Sequence, residues 1–181
     1  MIKAHARRKY RVLLAFVPVL AALGLNLKNN SSVKEAFTQP VYDTDKFSIN
    51  IPAGWRHHTE MSNGFKIFFL NAPPSAGFSP NLNILTEHMQ GLTTAQYLRI
   101  SKENMIKQNF VFDAEGDFQA NGITGSYFST TLDYQGRKLS LKTFNFFKSG
   151  LAYIITGTCL GSQAGAYRPI FDKTVMSFKV K

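Results

Sequence analysis

Residues 123–160 read ITGSYFSTTLDYQGRKLSLKTFNFFKSGLAYIITGTCL, and this stretch decides the fold. It contains three runs rich in β-branched and aromatic residues, at 123–134, 138–147 and 151–160, with Gln135-Gly136 and Ser149-Gly150 between them. Short turns that end in glycine between such runs are typical of β-hairpins. The stretch therefore predicts three consecutive antiparallel strands.

The middle strand carries apolar side chains on both faces. Leu139 and Leu141 alternate onto one side, whereas Phe144 and Phe146 alternate onto the other. A strand that faced water on one side would be polar there. We therefore expect other parts of the chain to cover both faces of the sheet.

Further elements precede and follow the hairpins. Alternation and turn residues predict strands at 46–51, 65–70, 81–88, 110–119 and 178–180, and a loop with three prolines at 71–80. Apolar periodicity predicts helices at 92–109 and 167–177. Pro169 is expected in the first turn of the second helix, since proline has no N–H to donate.

The first helix has a clear start. Thr93 and Gln96 have the spacing of a capping box, and Leu92 and Tyr97 that of a hydrophobic staple. Its predicted buried stripe consists of Ala95, Leu98, Met105 and Ile106. In the second helix, Ile170, Phe171 and Met176 are expected to face the sheet.

The first 27 residues have the pattern of an export signal. Arg7, Arg8, Lys9 and Arg11 precede the apolar run Val12–Leu25, as in a secretory signal peptide. Cleavage near Ala22-Leu23-Gly24 is one outcome, and an uncleaved membrane anchor over Val12–Leu27 is the other. We expect residues 28–40 to be a linker, residues 41–181 to be the domain, and the domain to act in the periplasm or another extracytoplasmic compartment.

Charge and cysteine content narrow the possible functions. The net charge is +10, but residues 1–27 hold five cations and no acid, which leaves 16 Lys and Arg against 11 Asp and Glu, or +5. A domain at +5 without a basic cluster gives no support for nucleic-acid binding. The single cysteine, Cys159, excludes an intrachain disulfide and is expected to be a small buried side chain on a strand.

Several segments resemble the PsbP-like family. Residues 47–55, FSINIPAGW, are similar to the family's F-S-I-x-x-P-x-G-W opening; the strand at Asn81-Leu82-Asn83-Ile84, the helix start Leu92-Thr93, the turn Asn121-Gly122 and residues 167–178, YRPIFDKTVMSF, also match in order. The resemblance covers residues 41–181. It implies an α+β fold of the α/β/α sandwich type, with a central antiparallel sheet of about six or seven strands flanked by helices.

The family also bears on function. PsbP-like proteins, which include envelope proteins of the DcrB type, are mainly binding or assembly modules without a shared active site, so the resemblance implies no catalytic residue or cofactor. Within it, Trp55 is expected to pack over the sheet edge. A photosynthetic source would imply an extrinsic photosystem II assembly protein in the thylakoid lumen.

A metal site is one candidate at the residue level. His57, His58, Glu60 and His88, with Glu87 beside the last, offer the imidazole and carboxylate ligands that zinc or manganese bind. Adjacent residues on a strand point to opposite faces, so His57 and His58 share an ion only if the segment is a loop. Two exposed loop histidines without metal are the alternative.

A partner surface is a second candidate. Asp113, Glu115 and Asp117 alternate, so a regular strand would place all three on one face, where they could receive a basic partner or bind a cation weakly. A solvated strand edge or loop without a partner is the alternative. Phe78, on the proline-rich loop, is either an exposed partner anchor or a side chain folded back onto the sheet.

Three function classes follow. The first is a non-catalytic exported accessory protein that assembles, stabilises or modulates a membrane complex. The second is a carrier of a small ligand or lipid in an apolar cleft between sheet and helix. The third is a hydrolase, which lacks support because no serine lies in a Gly-x-Ser-x-Gly elbow.

Overall fold

The computed structural model describes residues 40–181, so the predicted export signal and the linker up to residue 39 lie outside the described residues. The strands are β1 Val41–Asp43, β2 Phe47–Asn50, β3 Arg56–Ser62, β4 Phe65–Asn71, β5 Asn81–His88, β6 Val111–Ala120, β7 Ile123–Tyr134, β8 Arg137–Lys148, β9 Leu151–Leu160 and β10 Lys179–Val180. The helices are α1 Thr94–Lys107 and α2 Ala164–Val175. Within residues 40–181, neither helix is long and apolar enough to cross a bilayer.

The strands form two antiparallel sheets. The large sheet has seven strands in the order β3-β4-β5-β9-β8-β7-β6, and the small sheet has three in the order β1-β2-β10. The hairpins β7-β8 and β8-β9 lie where the sequence predicts them. Gln135 and Gly136 have φ values of 49° and 74°, which are the positive values that a two-residue type I′ turn requires.

Both faces of the large sheet are covered, as the middle strand predicts. Phe144 and Phe146 pack with α2 and the small sheet on one face. Leu139 and Leu141 pack on the other face, beneath Met105 of α1. The protein is therefore an α+β sandwich with a central antiparallel sheet of seven strands, and the expected fold class is confirmed.

Helix α2 lies very close to the large sheet at one glycine. A Cβ atom built on Gly157 of β9 would lie 2.5 Å from Cδ2 of Phe171, which is fully buried. The Trp55 ring contacts the same phenylalanine edge-on, with centroids 6.3 Å apart. Trp55 thus packs against α2 rather than over the sheet edge. Glycine at position 157 gives the Phe171 ring room to lie on the backbone of β9.

Helix α1 begins as predicted but turns a different side to the sheet. Thr93 and Gln96 form the capping box. The buried side chains are Tyr97, Ser101 and Met105, at intervals of four, whereas Ala95 and Ile106 are exposed. The predicted stripe was partly wrong because Ser101, a polar residue, lies at its centre and masks the apolar period.

Helix α2 begins three residues earlier than predicted. Pro169 is its sixth residue, not part of its first turn. The carbonyl four residues before it belongs to Gly165, which is exposed, so the acceptor that proline leaves without a donor is accessible to water. Val175 is buried in place of Met176, which is half exposed.

Two strands, β1 and β3, were not predicted from the sequence, and each omission has a physical cause. β1 has three residues and pairs only with β2, so it leaves little periodicity to detect. β3 follows the turn at Gly54 and carries polar side chains on both faces, since it lies at the edge of the sheet. Position in the sheet, not local composition, therefore makes these segments strands.

We expect Gly157→Ala to destabilise the fold by about 1–3 kcal/mol, because the new methyl group overlaps the Phe171 ring. Gly165→Ala is the matched control: the position is helical and exposed, and nothing lies within 4 Å of its Cβ. Its free energy of unfolding should stay the same or rise by about 0.5–1 kcal/mol. Urea denaturation measures both, and equal stability of the two variants would contradict the proposed packing.

A candidate binding cleft between the two sheets

A recess lies where the turn between β1 and β2 stands over β4 and β5 of the large sheet. Its volume is about 510 Å³, within the usual size range of small-molecule sites. Residues from three parts of the chain line it: Tyr42, Thr44, Asp45, Lys46, Phe47, Gly64, Phe65, Lys66, Phe68, Ile84, Thr86, Glu87 and His88. It lies between the two sheets, not between sheet and helix as the carrier hypothesis supposed.

The inner part of the cleft is aromatic. The Tyr42 and Phe68 rings are stacked with centroids 3.8 Å apart, and Phe47 contacts Phe68 at 6.4 Å. Ile84, which pairs with Phe68 across β4 and β5, is buried beside them. An apolar group entering the cleft would therefore leave water for an aromatic surface.

The rim of the cleft is basic and built on a fixed turn. Thr44 Oγ1 accepts hydrogen bonds from the backbone N–H groups of Phe47 at 2.9 Å and Lys46 at 3.2 Å, which holds the turn. Lys46 and Lys66 are exposed, and neither joins an ion pair within residues 40–181. Both ammonium groups are thus available to an anionic group placed above the aromatic floor.

An acidic residue, the exposed Asp45, lies on the same turn as Lys46 at the rim of the cleft. Burial raises the pKa of Tyr153, and the nearby negative charge of Asp45 raises it further. The phenol therefore stays protonated beside this carboxylate. A phenol that stays protonated does not exchange a proton at neutral pH, so Tyr153 and Asp45 have a structural role here rather than an acid–base role.

Glu87 borders the cleft but turns its carboxylate to the opposite face, under α1. It is 8% exposed, and the hydroxyl of Tyr97, 2% exposed, donates to its Oε1. Burial raises the pKa of Glu87, and the hydrogen bond from Tyr97 opposes that rise. Burial also raises the pKa of Tyr97, and the charge of Glu87 adds to it. The pair therefore ties β5 to α1 directly behind the cleft.

The four candidate metal ligands do not come together. His57 lies beside Tyr42, with ring centroids 5.4 Å apart, on the face opposite His58, as alternation on a strand predicts. His58 Nε2 lies 2.9 Å from Glu60 Oε1, and its Nδ1 lies 3.1 Å from Asn71 Nδ2. His88 stands at the far end of β5. Among residues 40–181, no three His, Cys, Asp or Glu side chains are grouped to hold a metal ion.

The acidic stripe is split between the two faces of the sheet, and the expectation of one face was wrong. A bulge between Phe112 and Ala114 inserts Asp113 as an extra residue, which shifts its direction. Asp113 lies 3.4 Å from Arg168 of α2, whereas Glu115 lies 2.5 Å from Lys102 of α1. Asp117 accepts a hydrogen bond from Ser126. Each acid thus has a partner within the domain.

Phe78 is not exposed, so it does not act as a surface anchor. It is 3% exposed and packs with Met105 and Leu139 under the loop at 71–80. The loop closes on itself through two backbone hydrogen bonds between Ser75 and Phe78, and Arg137 Nη1 donates to the carbonyl of Gly77 at 2.8 Å. The folded-back alternative is what the structure shows.

Cys159 is buried on β9, as expected. Burial raises the pKa of its thiol to about 11, although the charge of Arg168 and a hydrogen bond with the side chain of Ser140 act in the other direction. A thiol with this pKa is almost entirely protonated at neutral pH, and only the thiolate is a strong nucleophile.

Sequence reasoning did not find the cleft. Its aromatic and basic residues lie at positions 42–47, 64–68 and 84–88, and no motif spans them. The available signal was local: Phe47 directly follows Lys46, and Phe68 lies two residues after Lys66. That pattern is common to most half-buried strands, so it does not indicate a cleft without the pairing of β4 with β5.

The buried carboxyl gives the stability a pH dependence that Glu87→Gln should remove. The unfolded state releases its proton near the ordinary pKa of 4.5, while the folded state holds it to higher pH. The free energy of unfolding of the wild type therefore falls as pH rises from 4.5 through the raised pKa. We expect the stability of Glu87→Gln relative to wild type to increase over that interval, measured by denaturant titration at several pH values.

Tyr97→Phe provides the complementary control. It removes the donor to Glu87 and should destabilise the fold by about 1–3 kcal/mol, most where the carboxyl is ionised. A stability difference between wild type and Glu87→Gln that does not change with pH would contradict the raised pKa of Glu87.

Comparison of sequences finds no matching family model and no similar curated protein. Solved structures are similar in fold. Cyanobacterial PsbP (CyanoP) from Synechocystis sp. PCC 6803 has a TM-score of 0.60 at 11% identity, over 84% of this chain and 98% of that one. PA94 of Pseudomonas aeruginosa, a putative regulator of unknown function, has 0.57 at 20% identity, over 76% and 94%.

A third similar structure is LpqN of Mycobacterium tuberculosis, described as involved in cell envelope biogenesis. Its TM-score is 0.57 at 10% identity, over 75% of this chain and 83% of that one. Identities this low show a shared fold. Residues 40–181 thus have the PsbP-like α+β sandwich fold.

Proposed function

We propose that this protein is a non-catalytic, exported accessory protein that binds and stabilises a membrane-associated complex through the cleft between its two sheets. The observation that carries the proposal is the combination, in one recess, of an aromatic floor at Phe47 and Phe68 with the unpaired rim cations Lys46 and Lys66. Aromatic residues are enriched at recognition sites, and an exposed ammonium group attracts an anionic partner.

The other polar groups support binding rather than chemistry. Cys159 and the Glu87–Tyr97 pair are buried, and Asp113, Glu115 and Asp117 each hold a partner within the domain. A catalytic constellation requires a nucleophile or base placed where a substrate can reach it. These groups instead have structural contacts, which favours a role for the surface.

The likeness to CyanoP and to LpqN, whose description refers to cell envelope biogenesis, agrees with an extracytoplasmic site of action. The leader at residues 1–27 supports export, and Val12–Leu27 supplies a membrane tether if it is not cleaved. A domain held at the membrane meets a membrane complex at high effective concentration. Moderate affinity in the cleft is then sufficient for function.

Affinity capture from detergent-solubilised membranes tests this proposal. With Lys46→Glu/Lys66→Glu in the full chain, we expect recovery of the co-purifying complex to fall about tenfold, since two rim cations become anions. Lys107→Glu/Lys173→Glu makes the same change of charge on exposed positions of the helices and should leave recovery unchanged. Equal loss in both variants, or no complex with the wild type, would overturn the proposal.

The carrier of a small ligand is the second candidate, and the size of the cleft favours it. Native mass spectrometry of protein purified from its own source should then show the mass of the polypeptide plus that of a retained ligand. Thr86→Trp, which fills the floor of the cleft, should remove that mass, whereas Thr131→Trp on β7 should retain it. A wild-type mass equal to that of the polypeptide alone would exclude the carrier.

A further inference from the structure

Strand β3 is an open edge of the large sheet. It pairs with β4 over its whole length, from Arg56 opposite Asn71 to Ser62 opposite Phe65, and with no other strand within residues 40–181. It contains no proline and its register has no bulge. Its outer side therefore presents backbone donors and acceptors in a regular ladder.

The turn that joins β3 to β4 identifies which residues form that ladder. Asn63 and Gly64 have φ values of 50° and 82°, so the hairpin closes through a two-residue turn, with Ser62 and Phe65 as its last hydrogen-bonded pair. Hydrogen-bonded pairs alternate along an antiparallel ladder. His57, Thr59 and Met61 are consequently the residues whose N–H and C=O groups point away from β4.

The opposite edge of the sheet is protected, and β3 is not protected in the same way. On β6, the bulge at Asp113 interrupts the ladder, and ion pairs to Arg168 and Lys102 hold the neighbouring carboxylates. A bulge twists an edge away from other strands. On β3, Met61 is 70% exposed on a regular strand without a bulge, so a strand paired at this edge would cover it.

The side chains of β3 are complementary to those of a second copy. An antiparallel pairing centred on Thr59 places Arg56 opposite Ser62, His57 opposite Met61 and His58 opposite Glu60. The carboxylate of Glu60, already 2.9 Å from His58 Nε2 of its own chain, then also faces His58 of the second copy. The exposed Met61 covers the ring of His57 of the second copy.

The backbone agrees with the same register. His57, Thr59 and Met61 all lie in hydrogen-bonding positions of a ladder centred on Thr59, so each of the three residue pairs makes two hydrogen bonds. A shift by one residue would place residues whose N–H and C=O groups point toward β4 opposite residues whose groups point outward. The hydrogen bonds between the two copies would then be lost. Backbone alternation thus excludes registers displaced by one residue, and the pairing of His58 with Glu60 favours the register centred on Thr59.

We propose that β3 is a homodimer interface, at which two copies of this chain pair antiparallel about Thr59 and join their seven-stranded sheets into one continuous sheet. The pairing is isologous, since each copy contributes the same strand, and it closes after two copies. It uses none of the cleft lysines, so its test is independent of the proposed function.

Size-exclusion chromatography with light scattering on the full chain in detergent, from about 1 to about 100 µM, tests the dimer. We expect wild-type protein and Thr59→Ala to dimerise. Thr59→Pro removes one outward N–H without breaking a bond to β4, so it should be monomeric with an unchanged circular dichroism spectrum. A monomeric wild type, or a Thr59→Pro dimer, would overturn the proposal.

A charge exchange tests the register. Glu60→Lys sets a lysine opposite His58 of the second copy and should weaken dimerisation about tenfold, whereas the double variant His58→Glu/Glu60→Lys restores opposite charges and should recover it. If His58 and Glu60 contributed only to the folding of one copy, the double variant would not recover dimerisation. Failure of the double variant to recover it, with native circular dichroism, would exclude this register.

Cross-linking locates the axis directly. Thr59→Cys should be linked between two copies by a short bifunctional maleimide, because the paired Cα atoms are about 5.5 Å apart. Ser62→Cys should not, since its equivalent lies six residues along, about 20 Å away. Cys159 is buried and does not compete. Linking of Ser62→Cys but not Thr59→Cys would show that β3 pairs differently or not at all.

Discussion

The structure depends on covering both faces of one antiparallel sheet. β9 lies in the middle of that sheet, where alternate side chains serve opposite cores: Ile155 packs under α2, and Ile154 packs on the side of α1. A sheet that is apolar on both faces has no soluble form by itself, because each exposed face would leave a large area of hydrocarbon in water. The contact of Phe171 with Gly157 lets α2 come close enough to exclude that water.

Because the cover over the large sheet is incomplete, it leaves two surfaces for which a function is proposed: the cleft and the edge strand β3. The small sheet covers only part of one face, and the cleft lies where its β1–β2 turn stands above β4 and β5. The sheet ends at β3, which pairs with β4 and with no other strand among residues 40–181, so its outer edge has no partner strand there. The proposed binding cleft and the proposed dimer edge therefore both lie where the cover over the sheet ends. The buried pair Glu87 and Tyr97 holds β5 to α1.

The expectation of one acidic face was wrong, and of the two alternatives for Phe78 the exposed one was excluded, for reasons that are physical and local. The acidic stripe assumed a regular strand, and one bulged residue, Asp113, sent its carboxylate to α2 instead of α1. Phe78 looked like an anchor because prolines and glycine surround it, yet the loop folds over the hydrophobic core and buries it. His57 and His58 point to opposite faces, as predicted, because this depends only on the period of a strand.

The sequence by itself determined the hairpins 123–160, strand β5, the cap of α1 and the need to cover both faces, because turn geometry, capping and side-chain period act over a few neighbouring residues. Only the tertiary structure decided that β1 and β3 are strands, which side of α1 is buried, and that Tyr42, Lys46, Lys66 and Phe68 share one cleft. These features arise from pairing between segments distant in the chain. Register across such pairs depends on all the strands together, so no short stretch of sequence contains it.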